Sequence, residues 1–190
     1  GTSSGTRDAA WPTSRSTGSR RAALGSNRPW AERGTSARAA FAEAPVSADN
    51  RYRLFVNGQP VSSGPARGDR GHWNFETVDI APQIKTGKNV LAAIVWNAAE
   101  HAPFAQISYQ TGFILQGNNE AEDIVNTNQS WKVLKNKAYR PLPVDRAKLQ
   151  SYLVTGDGDD VDASHYPWGW ELPDFDDSTW ENAQQLWFAG

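Results

Sequence analysis

The 190-residue chain contains no cysteine and no methionine, and it carries only three histidines. Without cysteine there is no disulfide framework, no thiolate zinc site and no cysteine nucleophile. His72, His101 and His165 are too scattered to show a metal-ligand spacing, and isolated histidines are usually structural. Basic charge is also lacking: the formal net charge is -2, which argues against the basic surface that nucleic-acid binding usually needs. No apolar run reaches the ~18 residues of a membrane-spanning helix. The opening GTSSGTRDAA has no apolar core of the kind a secretory leader requires. Starting at Gly1 with no methionine, the chain reads as a piece of a longer product, so its compartment stays unknown. Motifs for a Ser-His-Asp triad, a phosphate loop or a nucleotide site are missing too.

Tryptophan, by contrast, is abundant, with nine residues. Indoles are large apolar surfaces that serve either as core or as binding platforms, and the C–H face of a pyranose stacks well on such a ring.

Residues 1–45 are dominated by Ala, Ser, Arg, Gly and Thr, and every basic residue among them is arginine. No period of 2 or 3.6 persists there, so this stretch is expected to be a disordered or poorly packed tail. The alternative is a weak strand ending near Phe41. From Val46 the pattern becomes that of β-sheet. Arg51–Val56 alternates, with Tyr52, Leu54 and Val56 on one face, and Asn57-Gly58 follows as a type I′ hairpin turn. Trp73–Asp79 reads as a strand, and Ile80–Gly87 as a short helical turn closed by glycine. Val90–Trp96 is apolar on both faces and is expected to be a central strand. Ala105–Leu115 alternates, with Ala105, Ile107, Tyr109, Phe113 and Leu115 inward, and Trp131–Lys135 is a further short strand. The expected fold class is therefore all-β, a jelly-roll-like β-sandwich over residues 46–136. Residues 137–190 are expected to form an irregular segment leading into a second, truncated module.

Several of these stretches resemble one family. Tyr52-Arg-Leu-Phe-Val-Asn-Gly58 resembles the strand and turn of galactose-binding-like sandwich domains. Thr77-Val-Asp-Ile-Ala-Pro82 and Gly87-Lys-Asn-Val-Leu-Ala-Ala-Ile-Val-Trp-Asn97 are similar to the elements that follow in N-terminal domains of α-L-rhamnosidases. Ala105-Gln-Ile-Ser108, Phe113-Ile-Leu-Gln-Gly117 and Tyr166-Pro-Trp-Gly-Trp170 fit the same group. Asp174-Phe-Asp-Asp-Ser-Thr-Trp180 resembles a segment of jelly-roll modules in many glycoside hydrolases. β-Galactosidase and β-glucuronidase relatives share part of this pattern. The resemblance implies an accessory domain with no catalytic residues of its own, in a secreted or periplasmic enzyme. Its partners would be a rhamnose-containing glycan and an (α/α) catalytic barrel further along the same chain.

Glycoside hydrolysis needs two carboxyl groups held about 5–10 Å apart on a rigid frame. Asp157, Asp159, Asp160 and Asp162 lie in a Gly-rich stretch, poor scaffolding for that geometry, and read as a solvated loop. Arg67 and Arg70, with Asp69, either reach sugar hydroxyls or pair within a loop. Asp49-Asn50 stands at a sandwich end, directly before the Tyr52 strand, and Asn97 ends the central strand toward the same rim. The resemblance implies that such a set can hold Ca²⁺ against sugar hydroxyls, a role that suits carboxylate and amide oxygens. The alternative is that Asp49 and Asn50 shape a turn while Asn97 caps backbone groups. Trp73, Trp168 and Trp170 are the candidate sugar platforms, whereas Trp96 reads as core. A ligand-free structural linker module is the competing reading for the whole domain.

Overall fold

The computed structural model describes residues 20–26, 29–30, 43–99, 102, 105–108, 110–142, 145–149 and 158–186. Phe41, His101, Tyr109 and Asp157 lie outside them. The strands are β1 (Arg20–Ser26), β2 (Pro29–Trp30), β3 (Ala44–Asp49), β4 (Arg51–Val56), β5 (Gln59–Gly64), β6 (Glu76–Val78) and β7 (Gly87–Lys88). They continue with β8 (Leu91–Asn97), β9 (Gly112–Leu115), β10 (Lys132–Lys135), β11 (Tyr139–Pro141), β12 (Asp159–Val161) and β13 (Glu181–Asn182). A six-stranded sheet runs β13-β10-β1-β8-β4-β5 and a three-stranded sheet runs β6-β3-β9. Every ladder within them is antiparallel. The expected β-sandwich is the fold observed.

The alternation read from Arg51–Val56 holds: Tyr52, Leu54 and Val56 are buried. Asn57 and Gly58 take φ of 51° and 80°, the two positive values a type I′ turn demands. This turn sets the pairing of Val56 with Gln59. Between the sheets lies the main core. Val46 and Ala48 of β3 meet Tyr52 and Leu54 of β4, Ala93 and Val95 of β8, Leu115 and Trp131. Tyr52 packs edge-on against Phe113 at 5.7 Å, and its hydroxyl lies 3.0 Å from Ser62 Oγ. Burial holds the Tyr52 phenol above its ordinary pKa.

β8 is buried on both faces, as its sequence requires. Leu91, Ala93 and Val95 face the main core, while Ala92 and Ile94 face a second cluster on the outside of the six-stranded sheet. That cluster is built by Trp170 and Trp180, with Phe55, Tyr166 and Phe175 beside them.

Three expectations are corrected here. Residues 20–26, expected in a tail, form β1, paired on one side with β8 and on the other with β10. An arginine-rich segment can fill this place because ladder hydrogen bonds are made by backbone, whatever the side chains. The described part of the C-terminal segment, expected to lead into a second module, packs on the sandwich instead. β13 closes the edge of the six-stranded sheet beside β10, and Trp170 and Trp180 cover its outer face. Two expected strands are shorter than read: among the described residues, only Glu76–Val78 of Trp73–Asp79 and only Gly112–Leu115 of Ala105–Leu115 are strand. Ala105 has φ of 66° and Ile107 is exposed, so neither is an inward strand residue.

The two tryptophans flanking Gly169 differ sharply: Trp170 is 3% exposed and Trp168 71%. Trp170→Ala is therefore expected to lower the unfolding free energy by about 3–5 kcal/mol. Trp168→Ala is expected to cost under about 1 kcal/mol. Urea denaturation of the two variants checks this; equal losses would mean that the C-terminal segment does not cover the sheet.

Candidate functional site

Asp49 and Asn50 occupy the corner where the chain leaves β3 in the small sheet and enters β4 in the large one. The peptide bond joining them is cis. Asn97 ends β8, the neighbour of β4, on the face that Leu91, Ala93 and Val95 turn inward. The three side chains meet, and all are buried, Asp49 being 7% exposed.

Asp49 Oδ1 accepts from Asn50 Nδ2 at 2.7 Å and from Asn97 Nδ2 at 3.0 Å. Asp49 Oδ2 accepts from the backbone N–H of Gln110 at 2.8 Å. The amide carbonyls face the other way: Asn50 Oδ1 accepts from Ala98 N at 3.0 Å and Asn97 Oδ1 from Ala99 N at 2.8 Å. Asn97 Nδ2 also donates to Ser108 Oγ at 2.6 Å, and Asn50 Nδ2 to the Ile107 carbonyl at 3.2 Å. A buried carboxylate is tolerable only with such donors, since an unpaired buried charge is costly.

The corner gathers several oxygen acceptors. Around the two amide NH₂ groups stand a carboxylate oxygen, a hydroxyl and two backbone carbonyls, those of Asp49 and Ile107. Ca²⁺ takes six to eight such oxygens at about 2.3–2.6 Å. In the geometry described, the NH₂ groups supply the positive ends that these oxygens need. Turning both amides over would bring their carbonyls to the ion, at the expense of the hydrogen bonds from Ala98 and Ala99.

Ser108, the Ile107 carbonyl and the Gln110 N–H belong to the site but were missed by the sequence reading. The alternation of 105–115 had assigned them to an ordinary strand. The signal available was polar: Gln106, Ser108 and Gln110 alternate just where the facing corner is Asp49-Asn50.

The opposite end of β4 offers a contrast. Asn57 and Asn89 are buried and joined, Asn57 Nδ2 donating to Asn89 Oδ1 at 2.8 Å. Their remaining groups bind backbone at Gln83, Lys85, Gly87 and Val90. That end encloses neutral amides alone; the Asp49 end encloses a charge.

The candidate platforms separate. Trp170 is corrected to core: its ring packs edge-on against Phe55 at 5.5 Å, and its indole N–H donates to Tyr166 Oη at 3.0 Å. Gly169, at φ of 79°, turns the chain so that Trp168 points to solvent instead. Trp168 is held by its indole N–H on the Ala163 carbonyl and by a tilted contact with Tyr166 at 4.8 Å. Trp73 stands elsewhere, half-exposed beside β3.

The described acidic residues of the 157–162 stretch serve local structure. Asp159 and Asp160 lie in β12, and Asp162 caps the turn Ala163–His165. The Ser164 hydroxyl and N–H, with the His165 ring, hold the Asp162 carboxyl down at about 2. A lowered carboxylate pKa means that this cap is complete above the unfolded value near ~3.9 and is lost as the pH falls through about 2. Asp69 is likewise lowered, by its bonds to His72 and the Gly71 N–H, within a tight exposed loop. Among the described residues no cluster of three or more His, Cys, Asp or Glu is found.

Comparison with known proteins decides the family. Residues 37–189 match the Alpha-L-rhamnosidase N-terminal domain. The chain belongs to that family. An Alteromonas sp. (strain LOR) alpha-L-rhamnosidase is 25% identical over 150 residues, 71% of this chain and 15% of that protein. The GH78 family rhamnosidase of Bacillus sp. GL1 is 23% identical, with a TM-score of 0.71 over 93% of this chain and 18% of that one. The Streptomyces avermitilis alpha-L-rhamnosidase complexed with L-rhamnose is 22% identical, with a TM-score of 0.50 over 85% of this chain and 12% of that one. The chain thus spans less than a fifth of the length of each of these rhamnosidases.

Asp49→Ala would leave two amide groups and one backbone N–H without their buried acceptor, at about 1–3 kcal/mol each. The unfolding free energy of that variant is expected to fall by about 3–5 kcal/mol, measured by denaturant titration. A fall below about 1 kcal/mol would contradict an enclosed, fully bonded carboxylate.

Proposed function

We propose that this rhamnosidase N-terminal domain is a non-catalytic sugar-recognition module. It holds an L-rhamnose unit at the Asp49-Asn50-Asn97 corner through Ca²⁺, while hydrolysis takes place in an (α/α) barrel elsewhere on the parent chain. One observation carries the reading: the last residues of β3 and β8, in different sheets, and Asn50 between β3 and β4 bring a carboxylate and two amides together at a sandwich end. The oxygen-rich surroundings suit the ion, and vicinal hydroxyls of a sugar complete such a shell. The rhamnose complex of the Streptomyces relative adds that an enzyme sharing this fold does meet that sugar. Asp160 in β12 is exposed and Asp162 after it is bonded locally to Ser164, surroundings unlike the rigid carboxyl pair of glycoside hydrolysis.

The corner also supports a second reading, a structural module whose carboxylate simply fastens two sheets. The bonds already satisfying Asp49 favour it. Calorimetry separates the two. With L-rhamnose and Ca²⁺, the sugar-binding reading expects a dissociation constant between about 10 μM and about 1 mM, lost on adding a chelator. Binding that survives both the chelator and Asp49→Ala would remove the calcium site and direct attention to Trp168. Absence of heat with any simple sugar would establish the structural reading.

A further inference from the structure

The outer face of the six-stranded sheet is covered only in part. The Trp170 and Trp180 cluster packs there against Phe55, Ala92 and Ile94. Side chains two residues apart on a strand share a face, so Arg53 and Arg51 continue the row of Phe55 along β4, and Trp96 continues that of Ala92 and Ile94 along β8. Trp96 pairs with Arg51, which makes the two cross-strand neighbours on this face. β5 adds Ser63, the direct partner of Arg53. Beyond the cover, Arg51, Ser63 and Trp96, together with Tyr52 and Gly64, line a hollow of about 230 Å³. Trp96, expected in the core, is half-buried here. The positive charge at this place has no counterpart. Arg51 is half-buried and donates to the Pro65 carbonyl, one bond for a group that carries five N–H donors. Arg53 is exposed. Among the described residues neither arginine has an acidic partner, and the Ser63 hydroxyl has no hydrogen bond. Glu76 stands on the Tyr52 side of β5, against Gly64, with its carboxyl bonded to the Ala66 N–H.

We infer that this hollow is a second binding site, one for an acidic sugar, a hexuronate whose carboxylate meets Arg51. The inference goes beyond the proposed function and does not depend on the Asp49 corner, whose side chains turn to the other face of the sheet. Three features commit the hollow to this chemistry. A guanidinium anchored on one carbonyl presents its remaining N–H groups in the planar fork that matches the two oxygens of a carboxylate. A second guanidinium, two residues along the same strand face, raises the positive potential over the hollow and favours an anionic ligand over a neutral one. The indole of Trp96 beside Arg51 offers a ring face to the C–H side of a pyranose, and the Ser63 hydroxyl offers a partner to a ring hydroxyl. A bare anion uses neither of these last two groups, and a neutral sugar leaves both charges unanswered. In the N-terminal domain of an α-L-rhamnosidase, a sugar is the natural bearer of such a carboxylate.

The test compares two probes on the whole chain by calorimetry, methyl β-D-glucuronoside and methyl β-D-glucoside, which differ only at the sixth carbon. The glucuronoside is expected to bind with a dissociation constant of about 1 mM, and the glucoside at least about tenfold more weakly. Arg51→Gln is expected to weaken the glucuronoside by about tenfold, and Arg53→Gln, at its exposed position, by about threefold. Unaltered melting curves confirm that the variants fold; if Arg51→Gln does not, Arg53→Gln carries the test. The Trp96 indole N–H resonance is expected to move with the glucuronoside. A chelator is expected to leave the affinity unchanged, because no cation takes part; loss of binding on chelation would place the glucuronoside at a cation site and overturn this one. The two glycosides binding alike, an affinity that neither variant lowers, or no heat with the glucuronoside would each overturn the site as well. Inorganic sulfate binding as tightly as the glucuronoside would overturn the recognition of a sugar and leave an anion site only.

Discussion

A strand that must be buried on both sides is the constraint on which this domain depends. β8 carries Leu91, Ala93 and Val95 on one face and Ala92 and Ile94 on the other, so no single opposing layer can satisfy it. The small sheet covers the first face. The second is covered by the chain's own later segment, through Trp170 and Trp180. The alanines at 92 and 93 leave room for large aromatic neighbours on either side. Burial of a tryptophan removes some 150–250 Å² of surface from water, which makes the covering segment as much a part of the fold as the strands.

The same strand carries the proposed site at its end. Because β8 and β4 run side by side, their termini sit together at one rim, and Asn97 falls beside the turn at Asp49-Asn50. Neutral amides fasten the far rim at Asn57 and Asn89. A carboxylate would be an expensive substitute for an amide if fastening were the whole purpose, since its charge must be bonded on every side. On the proposed function, the carboxylate at the near rim serves a cation and a sugar; on the structural reading, it is a clasp that happens to be acidic.

Much of this was legible wherever the determining interactions are local. Alternation at Tyr52, Leu54 and Val56, the Asn57-Gly58 turn and the two-faced apolar run before Asn97 each state their own structure. β1 was not legible, because arginine and alanine at Arg20–Ser26 show no period. Its place is set by β8 and β10, which each offer it a ladder of backbone groups. The stretch 105–110 alternates as a strand would, yet three of its polar groups are drawn to the Asp49 corner, and that long-range pull outweighs local propensity. Trp168 and Trp170 could not be told apart by composition. The positive φ of Gly169 sends one to solvent and the other to the outer cluster.

The central claim is that the Asp49-Asn50-Asn97 corner is where this domain meets a sugar. The most direct measurement is mapping of backbone amide resonances during titration with L-rhamnose in the presence of Ca²⁺. The account predicts shifts centred on the amides of Asn50, Ala98, Ala99 and Gln110, because turning the two side-chain amides toward an ion withdraws acceptors from Ala98 and Ala99 and redirects the carboxylate held by Gln110. Saturable shifts elsewhere, around Trp168 for instance, with those four amides unmoved, would contradict it.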